Sequence, residues 1–379
     1  MMIAPQAFCD TLLAAGVDFL TGVPDSLLKE FCAHVDAVLP PERHVIAANE
    51  GTAVALAAGH HLATGGLPMV YMQNSGLGNA VNPLLSLADA EVYGLPMILL
   101  IGWRGEPGGH DEPQHVKQGR VTPAMLATMD IPCKLLEGDP QEAAQAATWA
   151  AATARDSSAP VALLVRKGAF GKAGQKRAAR PLPDDLMTRE AAIALITETL
   201  PEGATIVAST GMISRELYEI RCARGQDGAS DFLTVGSMGH AAQIALGIAR
   251  ARPEAQVVCL DGDGAALMHL GGMATIGTHA QVNLLHIVLN NGAHDSVGGQ
   301  PTVAQNISLS AIARACGYDA DDGPVTDQSG LRAAVLRLSQ RAGRRFLDVH
   351  LRPGARADLG RPKESPAENK ARFMARLQR

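Results

Sequence analysis

In the segment VVCLDGDGAALM a single acid stands between two glycines, Gly262-Asp263-Gly264. An apolar run ends just before them and a helical pattern follows. Glycines let an anion approach free backbone amides where a strand opens into a helix. Asp263 would repel such an anion unless a cation lay between them. The physical solution is a diphosphate held through Mg2+, with Asp263 as one hard oxygen ligand. A second oxygen ligand has to come from a neighbouring strand end. One strand–helix–strand unit later the sequence offers LNNGAH, with Asn290, Asn291 and the backbone carbonyls beyond them. A Gly-Asp-Gly triplet alone is often only a surface turn; the flanking strand and the asparagine pair turn it into a ligand set. The dinucleotide fingerprint lacks its third glycine here, and no GxxxxGK[ST] segment exists.

The elements that must carry these residues read as α/β. MVYMQ, PMILLIG, PVALLV, ATIVAST, AQVVCL, VNLLHIVLNN and RRFLDVHL are strand-like runs, and EGTAVALAAGHHLA, GMISRELYEI and SMGHAAQIALGIARA are helical patterns. This alternation predicts two domains, each a largely parallel sheet flanked by helices on both faces. Domain boundaries are expected at 1–168 and 187–379, joined by a linker at 169–186 rich in glycine, proline and charge. The metal ligands then lie at the carboxyl ends of adjacent parallel strands. In SPAENKARFMARL, Ser365, Pro366 and Glu368 spell a helix start with a capping box.

Composition excludes several classes. A net charge of −5 gives no nucleic-acid surface. The run from Leu95 to Ile101 is too short to span a bilayer, and the N-terminus lacks a signal-peptide pattern. Six cysteines without metal-site spacing are expected to be reduced and mostly buried, and the protein to be cytoplasmic.

With GDGA followed one crossover later by NNG, the chain resembles the thiamine-diphosphate enzymes. The resemblance implies that Asp263, Asn291 and the carbonyl of Ala293 bind Mg2+, and that Gly262, Gly264 and Ala265 meet the diphosphate. Thr210 and Gly211, in STG, are implied to line the same pocket, and Met238, in GSMG, to wedge under the bent cofactor. Glu50, in HVIAANEGTAVALAAG, matches the glutamate that acts on the aminopyrimidine ring. Its alternative is a helix-start partner for the dipole. In the family this glutamate serves cofactor held by another chain, which implies a homodimer or higher homo-oligomer. His60 and His61 do not match the family's catalytic histidines and are expected to sit on a helix face.

No central third domain fits. The compact form is similar to the phosphonopyruvate and sulfopyruvate decarboxylases, in GVPDSLLK, QNSGLGNAVNPLLSL, GWRGEPGGHDEPQH, NGAHDSVGGQPT and RPKESPAENKARFM. This implies decarboxylation of a small anionic 2-oxoacid, 3-phosphonopyruvate first and sulfopyruvate as the alternative. A non-catalytic cofactor-binding relative is the remaining option. Continuity of the chain leans toward the phosphonate, because sulfopyruvate enzymes are often split into two subunits. An anionic head group needs charge-assisted donors. Arg104, His110, His115, Lys117 and Arg120 supply them in a loop expected to close over the ligand. Asn74 and Ser75 are expected to face the reacting carbon, Asn74 against the cofactor. Asp25 is expected either to shuttle a proton or to cap the next helix. His294 is expected to donate a proton, since its ordinary pKa lies near neutrality.

Overall fold

The computed structural model describes residues 2–175, 185–279 and 282–378. Its contacts divide the chain into two compact units, Met1–Ala179 and Arg180–Arg379. Half of the expected linker, 176–184, lies outside the described residues. Its first residues are not free chain: Ala169 and Phe170 belong to the core of the first unit, and Ile3 bridges Phe170.

The first unit has strands β1 (Val17–Gly22), β2 (His44–Ile46), β3 (Leu67–Gln73), β4 (Met97–Gly102), β5 (Cys133–Leu136) and β6 (Pro160–Val165). All pairs are parallel, in the order β2-β1-β3-β4-β6-β5. The central strands are buried on both faces, which is why they read as unbroken apolar runs. Met69, Tyr71, Ile98 and Leu100 pack on one face. Val70, Met72, Leu99 and Ile101 pack on the other. Helices Pro5–Ala14 and Pro140–Ser157 cover the first face, and helix Glu50–Thr64 covers the second.

The second unit has β7 (Thr205–Ala208), β8 (Asp231–Leu233), β9 (Val257–Gly262), β10 (Leu284–Asn290), β11 (Asp319–Ala320) and β12 (Arg344–His350). They too are parallel, ordered β11-β12-β10-β9-β7-β8. Counted along the chain within each unit, both sheets read 2-1-3-4-6-5. The architecture is duplicated although no repeat is visible in the sequence. In each sheet the order in which strands are added reverses between the first and third strands, β1 with β3 and β7 with β9. Such a switch point opens a crevice at the carboxyl ends of the strands.

The sequence-derived capping box is present: Ser365 Oγ accepts from the Glu368 amide at 3.3 Å, and the Glu368 carboxylate accepts from Ser365. All six cysteines are free, as expected, but only Cys9, Cys32 and Cys259 are buried. Cys133 lies on the edge strand β5, so it is more exposed than a core reading allows. No described helix is long and apolar enough to cross a membrane.

Candidate active site

In the second unit β9 and β10 are hydrogen-bonded neighbours, with Gly262 opposite Leu289. Asp263 and Asn291 therefore emerge side by side, both nearly fully buried. Burial raises the Asp263 carboxyl to about 6, against bonds from the Thr302 hydroxyl and the amides of Asp263, Gly264 and Asn291. Asn291 follows β10 directly. Its side chain donates from Nδ2 to Asp295 at 2.6 Å and accepts from the Ala293 amide at 3.1 Å. A carboxylate, an amide carbonyl and the Ala293 main chain are an all-oxygen set of the kind Mg2+ takes.

Of the glycines around this point, Gly264 has no room for a side chain, while Gly211 stands in open space. A Cβ on Gly264 would meet the His294 ring at 3.1 Å and Met238 Cε at 3.4 Å. At Gly211 (φ 95°) the nearest group is Ser296 Cβ, at 3.9 Å. Thr210 Oγ1 accepts from the Gly236 amide at 2.9 Å, which joins the loop after β7 to the one carrying Met238. Gly236, Ser237 and Gly239 all have positive φ, and Ser237 does so without being glycine. This tight kink presents half-buried Met238 beside Gly264, where a wedge is expected. Ala265 follows Gly264 and is buried. The cradle and its donors fit a diphosphate with a divalent cation.

His294 lies against Gly264, but burial lowers its pKa to about 4, partly opposed by Asp295. The ring is neutral near pH 7, which corrects the expectation of a donor with an ordinary pKa.

In the first unit, Glu50 is the first residue of helix Glu50–Thr64. Capping is done by Asn49, whose Oδ1 accepts from Gly51 at 2.8 Å and Thr52 at 3.4 Å. Glu50 is left for other work. It is 5% exposed, and its Oε2 accepts from Asn79 Nδ2 at 2.8 Å. Burial pushes its carboxyl above the usual range, with the Asn79 bond working against that. Gly76 packs directly on this carboxylate, and a Cβ there would overlap it. Such a buried, weakly solvated acid is suited to exchanging a proton with a ring nitrogen.

At the β1/β3 switch point, Asp25 is 0% exposed. Its Oδ2 accepts from Leu27 and Leu28 at 2.9 and 3.3 Å, and its Oδ1 from Gln73 Nε2 at 2.6 Å. Burial raises its pKa against those bonds. Asp25 caps the turn and is covered by its own chain, so a shuttle in direct contact with substrate is not what this geometry builds. Its path outward runs through Gln73 to Ser75 Oγ, 2.8 Å away.

The 103–120 segment departs most from expectation. Only its first part is a loop; helix Pro113–Thr128 begins at the proline and carries His115, Lys117 and Arg120. Arg104 is not an unpaired cation: Nε and Nη2 bind Asp111, and Nη1 donates to Ser26 Oγ at 2.8 Å. His115 is buried, which lowers its pKa to about 4 with help from Arg104, so it carries no charge near neutrality. Asn74 gives both amide hydrogens to the Arg104 carbonyl and Thr122 Oγ1, at 2.9 and 3.0 Å. It braces this loop and has no donor left for a ligand. His110, Lys117 and Arg120 are exposed. His60 and His61 lie on helix Glu50–Thr64, with His60 stacked on Phe19 and bound to Asp18.

Sequence reasoning missed the partners that hold the site: Asn79, Gly76, Thr302, Asp111 and the Arg189–Glu216–Asp295 cluster. Thr302 and Asp295 stand inside the quoted NGAHDSVGGQPT segment, the only signal for them.

Comparison with known proteins matches residues 2–125 to the N-terminal TPP-binding domain of thiamine pyrophosphate enzymes, and residues 209–349 to their C-terminal TPP-binding domain. The phosphonopyruvate decarboxylase of Streptomyces viridochromogenes is 38% identical over 99% of this chain and 95% of its own. That of Streptomyces hygroscopicus is 38% identical over 98% and 93%. The sulfopyruvate decarboxylase of Methanosarcina acetivorans is 29% identical over 96% and 94%. With both domains matched and relatives aligned nearly end to end, this chain belongs to the thiamine pyrophosphate enzyme family.

Proposed function

We propose that the chain decarboxylates 3-phosphonopyruvate to phosphonoacetaldehyde and CO2, using thiamine diphosphate and Mg2+. The observation that carries the cofactor half is the pair of adjacent parallel strand ends that brings buried Asp263 and Asn291 side by side. The substrate rests on the phosphonopyruvate relatives, which are more similar than the sulfopyruvate one. Chain continuity does not discriminate, because that sulfopyruvate enzyme also matches over nearly its whole length.

Asp263, Asn291 Oδ1 and the Ala293 carbonyl would hold the metal. The loops at Thr210–Gly211 and Gly262–Ala265 would cradle the diphosphate, and Met238 would support the bend of the cofactor. When bound, thiamine diphosphate supplies an electron sink for the pair left by departing CO2. Glu50 Oε1, the oxygen not committed to Asn79, would be the atom that holds or releases a proton toward the pyrimidine ring. Ser75 and the cations of the 103–120 segment meet the substrate. Within that segment Asp111 fixes Arg104, while His110 and Lys117 have exposed side chains. The assembly is a homo-oligomer in which Glu50 serves cofactor on another chain.

The test is CO2 release from phosphonopyruvate and sulfopyruvate with Mg2+ and cofactor. Phosphonopyruvate should turn over faster; equal or faster release from the sulfonate overturns the substrate assignment. Glu50→Gln should keep cofactor uptake and lose on the order of 100-fold or more in kcat. Asp263→Ala should instead abolish Mg2+-dependent uptake, and an unchanged Mg2+ requirement would remove Asp263 from the metal shell.

A further inference from the structure

Buried Arg189 and Glu216 and half-buried Asp295 cluster behind the expected metal ligands, and none belongs to the set assigned above. Arg189 opens helix Arg189–Thr199, and Glu216 lies on helix Met212–Ala223. Arg189 Nε and Nη2 bind both Glu216 oxygens, at 2.8 and 3.0 Å, in a fork that fixes the guanidinium plane. The remaining nitrogen, Nη1, reaches Asp295 Oδ2 at 2.9 Å. That same oxygen accepts from Asn291 Nδ2 at 2.6 Å and from the Gly354 amide at 3.0 Å. Arg189 and Glu216 are 4% and 1% exposed. Three elements distant in sequence are spent on one carboxylate oxygen.

An ionised carboxylate only accepts hydrogen bonds, whereas an asparagine amide has one accepting and one donating end. Asp295 therefore decides which end of Asn291 points where. With Nδ2 drawn to Asp295, Oδ1 is turned the other way, where it also accepts from the Ala293 amide. The flipped amide would set Oδ1 against the Asp295 carboxylate and Nδ2 against the Ala293 N–H. It would also offer a cation two hydrogens in place of a lone pair.

We propose that Asp295, fixed by Arg189 and Glu216, is a positioning residue that orients the Asn291 amide so that its carbonyl oxygen faces a divalent cation. This rests on the Mg2+ assignment at Asp263 and Asn291. Partners that orient ligands in this way are commonly worth about 10–100-fold in metal affinity. In Asp295→Asn the charge is gone and a single neutral carbonyl oxygen has to serve Arg189, the Gly354 amide and Asn291 together, so its hold on the Asn291 orientation weakens.

The test is a double-mutant cycle read by calorimetry, as the Mg2+ concentration needed for thiamine diphosphate uptake by the cofactor-free protein. Asp295→Asn should raise that concentration about 10-fold or more, with most of kcat recovered at saturating Mg2+. Asn291→Asp sets a second carboxylate against Asp295 in place of the 2.6 Å hydrogen bond, so adding Asp295→Asn to it removes a repulsion and should lower the Mg2+ requirement, not raise it. An unchanged Mg2+ requirement in Asp295→Asn overturns the proposal. So does an equal penalty in both backgrounds, which would mark a merely structural role. Melting curves of the cofactor-free variants check folding, and Asp295→Ser replaces the asparagine variant should that fail to fold. Wild-type protein without Mg2+-dependent uptake would sink the metal assignment itself. A normal wild type with an indifferent Asp295→Asn sinks only the orientation.

Discussion

Glu50 and Gly76 show how much one missing side chain can decide. The carboxylate is buried, raised in pKa and held through one oxygen by Asn79. Its other oxygen lies where a Cβ on residue 76 would be. Gly76→Ala must therefore push the carboxyl aside. A misplacement of about 1 Å can cost on the order of 100-fold in rate when geometry governs the step. Gly76→Ala is expected to lose kcat on that scale while cofactor affinity stays near wild type. Gly78, two residues on, has nothing within 4 Å of an added Cβ, so Gly78→Ala is the matched control and should stay close to full activity. Steady-state kinetics beside cofactor titration separates the two; equal activity of both variants would mean that Glu50 has room to relax. Glu50 itself was legible in the sequence as an acid at a helix start. Its release from capping duty was not, because that depends on Asn49 accepting the first amides.

The long elements were legible because the central strands are buried on both faces and several long helices carry a clear start or stop. The strand β4 is buried at every position, and so is β10. Their apolar runs could hardly be read otherwise. The 103–120 segment misled because its glycines and prolines mark a loop, yet Pro113 occupies the first turn of a helix, where proline is favoured. Polar partners were illegible for a different reason: Thr302 lies 39 residues from Asp263, and Asp295 lies 106 from Arg189, distances no local period spans. At this scale Asp111 is the fastener of the loop. Burial alone would raise its pKa, but Arg104 and the amides of Glu112 and Gly105 hold it well below the usual carboxylate range. A depressed carboxylate contributes stability that is present above its unfolded value, about 4, and is lost as pH falls toward the folded value. Hydrogen exchange at the Gly105 amide, which donates to Asp111 at 2.9 Å, should report this. Exchange corrected for intrinsic rate should accelerate as pH drops below about 4, and in Asp111→Asn already at neutral pH. Unchanged protection in the variant would show that the loop is held by other contacts.

At the scale of the molecule, one strand order is used twice and the chemistry is divided between the copies. The first unit carries Glu50 and the acid at its own switch point; the second carries the expected metal ligands and the diphosphate cradle. Neither unit holds both Glu50 and the expected metal ligands. An oligomer in which Glu50 acts on a neighbour's cofactor makes a prediction that single-variant assays do not. Glu50→Gln and Asp263→Ala each destroy every site in their own homo-oligomer. Mixed under conditions that exchange subunits, they form hybrids. In a two-site dimer, a hybrid has one site with Glu50 from one chain and Asp263 from the other, and one site with neither. With half of the dimers hybrid and one of two sites intact in each, activity should recover to about a quarter of wild type. If Glu50 served the cofactor on its own chain, every site in every hybrid would still lack one residue, and mixing would restore nothing. Subunit exchange itself is checked by mass spectrometry of differently labelled chains, so a silent mixture with proven hybrids refutes action between chains.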